Sequence, residues 1–118
     1  MKLRLHAGTL RLRLSRTEIA TLEEQGRVED TVVFSPNQSL RYSIESGKSD
    51  QVTATFDQTQ IRVVLPAEVA KQWTGSDETG VEGSTGTLRL LIEKDFQCLH
   101  RPPEPGEDPF PNPDAKRL

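Results

Sequence analysis

The sequence is short of several things. It has one cysteine, Cys98, so no disulfide can form within the chain. Aromatic residues fill 5% of its 118 positions and hydrophobic residues 33%, so a core must be thin and built mainly from Leu, Val and Ile. No apolar run approaches the roughly 20 residues that span a bilayer. The opening Met1-Lys2-Leu3-Arg4-Leu5-His6 carries charges with no apolar stretch behind them, unlike a signal peptide. These absences point away from a membrane and towards a reducing, cytoplasmic location. Positive charge is not in excess either. The net charge is −3, with 12 basic and 14 acidic residues up to His100 and 3 and 4 after it. Tight nonspecific binding to nucleic acid needs a strong positive footprint, so nucleic acid is disfavoured as a partner and a protein is favoured. A thin core leaves apolar surface to cover, which leaves room for a homodimer.

What the chain does have is alternation, the period of a half-buried strand. Leu3 and Leu5 alternate with Lys2 and Arg4, and Leu10, Leu12 and Leu14 alternate with Arg11 and Arg13, with Ala7-Gly8 as a turn between them. Ser15-Arg16-Thr17-Glu18 is a capping box opening a helix of about three turns, with Gly26 placed to end it. Further strands are expected at Val28 to Phe34, Leu40 to Ile44, Asp50 to Phe56 and Gln60 to Leu65, the last two as a hairpin. Pro66 suits the first turn of a second helix carrying Val69 and Trp73, stopped at Gly75. A short strand near Val81 and a better one from Leu88 to Ile92 follow, with Gly83-Ser84-Thr85-Gly86 read as their turn. The pattern predicts one α+β domain over residues 1–100, with a largely antiparallel, curled or barrel-like sheet and two short helices. Leu10 to Ala20 also parallels Ile61 to Ala70 once a one-residue gap is allowed, which raises the expectation of a pseudo-duplicated domain.

From Arg101 to Leu118 the character changes to a proline-rich acidic tail that can form neither sheet nor helix and has little to bury. The exception is Phe110, within Pro109-Phe110-Pro111-Asn112-Pro113. An aromatic in a stiff extended segment is an anchor for a groove, on its own domain or on a partner.

Motifs for the common chemistries are missing: there is no GxxxxGK[ST] phosphate loop, GxGxxG, HExxH or CxxC. The densest reactive cluster is Glu93-Lys94-Asp95-Phe96-Gln97-Cys98-Leu99-His100. On an extended backbone Cys98 and His100 point to one side, where both could ligate a transition metal, with Asp95 or the distant His6 completing the set. A structural site normally has four ligands at recognisable spacing, and a free cysteine usually just packs, so core packing outweighs metal binding. Cys98 as a nucleophile would need a cationic or helix-terminus setting and an oriented base, and His100, so close on one strand, rarely leaves space for a substrate between them. Glu93 and Asp95 form a carboxylate pair that general acid–base catalysis could use, but charged ends of edge strands look the same. Catalysis is therefore disfavoured, and no cofactor is indicated.

Arg4, Arg11, Arg13, Arg41, Arg62 and Arg89 fall at outward strand positions, where Arg11, Arg13, Arg62 and Arg89 could hold a polyanion or an acidic partner. Glu29, Glu45, Glu82 and Glu93 are placed to neutralise such a face as cross-strand pairs, and neutralisation is the favoured outcome. Trp73 and Tyr42 fall on inward sets and read as core.

The opening Lys2-Leu3-Arg4-Leu5 and Leu10-Arg11-Leu12-Arg13-Leu14-Ser15, the helix start Leu65-Pro66-Ala67-Glu68, the segment Glu93-Lys94-Asp95-Phe96-Gln97-Cys98-Leu99 and the tail Phe110-Pro111-Asn112-Pro113 resemble a family of short bacterial proteins of unknown function. The resemblance covers nearly the whole chain and brings no activity with it. It implies that Phe110 folds back onto the domain. Val64-Leu65-Pro66-Ala67-Glu68-Val69 is also similar to the swapped-hairpin DNA-binding domains of bacterial antitoxins and transition regulators, over about a dozen residues, which is an analogy of fold alone. The expected function is a noncatalytic binding or interaction module. The alternatives are a metal-dependent protein using Cys98 and His100, and a DNA-binding regulator of swapped-hairpin type.

Overall fold

The structure, a computed structural model of the chain, describes residues 1–96 and 108–111. Ten elements follow one another: β1 (Lys2–His6), β2 (Thr9–Leu14), α1 (Arg16–Gln25), β3 (Arg27–Ser35), β4 (Gln38–Gly47), β5 (Thr53–Asp57), β6 (Gln60–Pro66), α2 (Ala67–Thr74), β7 (Gly80–Thr85) and β8 (Leu88–Lys94). Local chemistry sets their limits. The Ser15 hydroxyl accepts from the Glu18 amide at 3.2 Å while the Glu18 carboxylate takes the Ser15 amide at 2.9 Å, so the capping box is complete. Gly26 ends α1 at φ 76°, a conformation that costs any residue with a Cβ. Pro66 caps α2 from just outside its first turn, where its fixed φ suits the entry and its missing amide leaves nothing unpaired. Gly83, Ser84 and Thr85, expected as a turn, lie inside β7, and the turn falls at Gly86, φ 60°.

The strands form two sheets of four, ordered β1-β2-β8-β7 and β3-β4-β6-β5. The expected single barrel-like sheet is thereby corrected: the sheets are two, mixed, and not closed into a barrel. Hairpin neighbours pair antiparallel, but β2 runs parallel to β8 and β4 parallel to β6. The reason is connectivity. After each helix the chain crosses to the other sheet, so the centre of each sheet is filled by one strand from each half of the chain. The class remains α+β, with helices segregated from a pair of sheets.

The two halves of the chain carry one arrangement of elements. Exchanging β1, β2, α1, β3, β4 for β5, β6, α2, β7, β8 turns the first sheet's order into the second's. Details repeat with it. Leu5 faces Leu10 as Phe56 faces Ile61, and Leu3 faces Leu12 as Ala54 faces Val63. Ala7 and Gln58, the non-glycine residues with positive φ among those described, sit in corresponding hairpin turns. The Arg41 amide donates to the Thr59 carbonyl at 2.9 Å, and the Arg89 amide to that of Gly8 at 2.8 Å. This register aligns α1 with α2 without the one-residue gap that the sequence parallel needed: buried Ile19 and Leu22 correspond to buried Ala70 and Trp73. The correspondence is one of topology and register.

The core lies between the sheets and under the helices. The inward sets Leu10, Leu12, Leu14 and Ile61, Val63, Leu65 meet Ile44, Leu90 and Ile92, with Trp73 fully enclosed. The sheets join where β5 passes β7, through the Ala54 amide to Thr85 Oγ1 at 3.0 Å, and where Met1 meets Asp30 and Tyr42. No helix among the described residues is long and apolar enough to cross a membrane.

Candidate functional site

The end of β8 is the reactive cluster picked out in the sequence. Cys98 and His100 lie outside the described residues. Asp95 is described, and it is already engaged: it is buried, its carboxylate meets Lys2 Nζ at 3.0 Å, and its amide donates to the Leu14 carbonyl at 2.8 Å. Among the described residues no three His, Cys, Asp or Glu side chains gather as a metal would require. Glu93 pairs with Arg11, not with Asp95.

Residues 108–111 return to the domain here. The Phe110 amide donates to the Asp95 carbonyl at 2.6 Å, and its ring lies 5.8 Å from that of Phe96. The expected aromatic anchor is thus seated on its own domain. Lys94 is only 6% exposed. Its amine donates to the Ser76 carbonyl at 2.7 Å and lies 6.0 Å above the Trp73 ring and 5.8 Å from the Phe110 ring. Burial lowers its pKa below the ordinary lysine value, against the pull of Asp77 and Glu78. An amine enclosed between two rings has no room to attack a substrate, so its role is packing.

The same strap closes the amino end of α1. Asp108 accepts from the Thr17 hydroxyl at 2.6 Å and the Thr17 amide at 3.1 Å, and its backbone carbonyl takes the Arg16 amide at 3.1 Å. These are the orphan donors of a helix start, supplied with an anion from the chain itself. Beside it, a cleft of about 400 Å³ mixes Lys2 and Arg13 with Glu18, Asp95 and Asp108, so its charges largely compensate. The Thr17 hydroxyl, then the Thr17 amide, hold the Asp108 carboxyl below its ordinary value of 3.8. A depressed carboxyl stabilises the fold above its unfolded pKa and loses that contribution as pH falls through the folded one. Accordingly, the Thr17 amide resonance should titrate with a midpoint below 3.8 in the native protein and stay flat in Asp108→Asn. A midpoint at or above that value would contradict the contact.

Several of the outward arginines meet carboxylates. Arg11 pairs with Glu93, Arg62 with Glu45, Arg27 with Glu29, and Arg89 with Glu82 at 3.5 Å. The first two occupy corresponding places in the two halves, each bracing a parallel strand junction. Three of the four arginines singled out therefore face carboxylates. Arg13 lines the mixed-charge cleft instead.

One exposed apolar group was not singled out in the sequence. Val32, Val33 and Phe34 are exposed at the far end of the β3–β4 hairpin, Val33 and Phe34 each by 71%. The cause is the length of that hairpin. Strand β6 starts its pairing with β4 at Gln60 opposite Arg41, so Leu40 and its facing residue Val32 project past the covered part of the sheet. The corresponding β7–β8 hairpin turns at Gly86, just beyond Ser84 opposite Arg89 and Thr85 opposite Leu88, and has no such extension. The signal available in the sequence was the uncharged run Thr31 to Leu40, in a chain 28% charged.

These features define a small two-sheet α+β domain in which several surface arginines are paired with carboxylates and a group of large apolar side chains is exposed at one hairpin end. A family model described as a family of unknown function (DUF7009) matches residues 1–114, and the chain belongs to that family. No curated protein and no solved structure matches it.

Proposed function

We propose that this chain is a noncatalytic interaction module whose contact surface is the free end of the β3–β4 hairpin and whose partner is a protein. The observation that carries the reading is the outward Val32-Val33-Phe34 run on a hairpin longer than its counterpart in the other half. Exposed large apolar residues grouped in one place, without charge among them, mark contact surfaces more than stability devices. The reactive groups support the same reading. Glu93 is paired with Arg11, Asp95 with Lys2, and Lys94 is enclosed by Trp73 and Phe110.

A photo-crosslinking side chain placed at position 33 in the producing cell tests it. Irradiation should give a discrete adduct, identified by mass spectrometry, that disappears when Phe34→Lys is added. Recovery of only the free 13.2-kDa chain would count against the reading.

A further inference from the structure

The outer edge of β3 tells which partner the hairpin fits. Strand β3 ends its sheet, with β4 on one side and, among the described residues, no strand on the other. Its first half is nevertheless covered, because the amino group of Met1 meets the Asp30 carboxylate at 2.8 Å and the Met1 carbonyl accepts from Tyr42. The edge becomes free at Thr31 and ends at Pro36, which has no amide to donate. The free stretch is Thr31-Val32-Val33-Phe34-Ser35, every residue exposed, none charged, and three of the five β-branched. Natural proteins protect such an edge with lysine, proline or an inward charge. Here protection stops where the free stretch begins.

We infer that this edge pairs with the same edge of a second copy of the chain, antiparallel, about a twofold axis at Val33. The inference rests on the reading of the hairpin as the contact surface and names its occupant. The sequence selects both partner and register. A twofold axis perpendicular to the sheet keeps paired residues on one face, so each residue pairs with one of the same parity. With the axis at Val33, Val32 meets Phe34 of the second copy, Thr31 meets Ser35, and Val33 meets itself. These are β-branched–aromatic and hydroxyl–hydroxyl pairs, both favourable across strands. Moving the axis to Val32 sets the Asp30 carboxylate against Phe34. Moving it to Phe34 sets Val32 against Pro36, which cannot complete the ladder. Only the register at Val33 leaves every pair both uncharged and free of proline, and Asp30 then falls outside the ladder and keeps its place beside Met1. A neutral strand desolvates no charge on its partner when that partner is equally neutral, and the same segment of another copy meets that condition.

The ladder is short, and the register shift between Val33 and Ser35 bends its end. Its area falls at the small end of specific interfaces, which sets the dissociation constant at roughly micromolar or weaker. The dimer therefore forms with concentration.

Sedimentation velocity of the full chain should show a monomer–dimer equilibrium over roughly 1–500 μM. Val33→Lys alone and Val33→Glu alone should each be monomeric throughout, because each sets like charges against themselves at the axis. Mixed in equal amounts they should regain a dimer, since lysine now faces glutamate. Position 33 is exposed, so both variants should keep the wild-type circular dichroism spectrum and melting temperature. A dimer unaffected by either substitution, or a mixture that stays monomeric, would overturn the pairing at Val33. A wild-type chain monomeric throughout, with position 33 still crosslinking to a different protein, would overturn self-pairing and leave the interaction reading standing. Neither dimer nor crosslink would overturn both.

Discussion

Trp73→Ala is expected to cost the domain about 3–5 kcal/mol, a large part of the roughly 5–15 kcal/mol that holds a domain of this size together. Trp73 is the one tryptophan, it is completely buried, and it fills the space under α2 that the smaller Leu22 fills under α1. In a chain with few aromatics no neighbour is large enough to collapse into the gap. The loss also reaches Lys94, whose amine lies over the indole ring. With the ring gone, water reaches the amine and its lowered pKa should return towards the ordinary lysine value. Trp73→Phe separates volume from hydrogen bonding. The indole Nε1 is buried with no partner among the described residues, so phenylalanine gives up no hydrogen bond to them and should cost only about 1–2 kcal/mol. Urea unfolding followed by far-ultraviolet circular dichroism gives both numbers, fluorescence being lost with the tryptophan. A loss below about 1 kcal/mol in Trp73→Ala would mean that α2 does not rest on this side chain.

The parts of the fold legible in the sequence are those decided locally. The Ser15–Glu18 box and the left-handed Gly26 need only neighbouring residues, and so they were visible. The inward sets Leu10, Leu12, Leu14 and Ile61, Val63, Leu65 follow from alternation alone. Strand neighbours do not. A strand with one buried face alternates in the same way whether its neighbour runs parallel or antiparallel. Nothing near β2 announces that β8 lies beside it, which is why two mixed sheets were read as one curled sheet. Of the four glutamates expected to neutralise the arginines, Glu45, Glu82 and Glu93 pair with arginines of that set across strands, whereas Glu29 pairs with Arg27 on its own strand.

The candidate surface was hidden for a related reason. Val28, Val32 and Phe34 read as one continuous half-buried stripe, yet Val28 is buried and the other two are exposed. What separates them is where β6 begins, a fact about a strand some thirty residues further on. The seat of Phe110 was legible because a lone aromatic among prolines has few reasons to exist other than to be buried. Which groove it takes was not, since Phe96 and Lys94 form that groove only once β8 is in place.

Gly83 shows the same conflict between local and distant causes. Glycine near serine and threonine signals a turn, but Gly83 lies mid-strand in β7, where a Cβ would come within 2.6 Å of Val52 Cβ, 3.1 Å of its Cγ1 and 3.4 Å of its Cγ2. The glycine lets β7 approach the chain entering β5, where the Ala54 amide reaches Thr85 Oγ1 and joins the two sheets. Gly83→Ala should therefore destabilise by about 1–3 kcal/mol through overpacking. That figure is net of the several tenths to about 1 kcal/mol that alanine returns by restricting the unfolded chain. The contact with Val52 can be isolated by a double-mutant cycle. Val52→Ala removes the two Cγ contacts and leaves the closest one, whereas Val52→Gly removes all three. Combined with Gly83→Ala, each should cost less than the sum of its parts, and the favourable coupling should be larger for Val52→Gly, by about 1 kcal/mol or more. Urea midpoints at unchanged m-value measure all five variants. Strictly additive costs would show that the two side chains do not compete for one space, and that the sheets meet somewhere other than at Gly83.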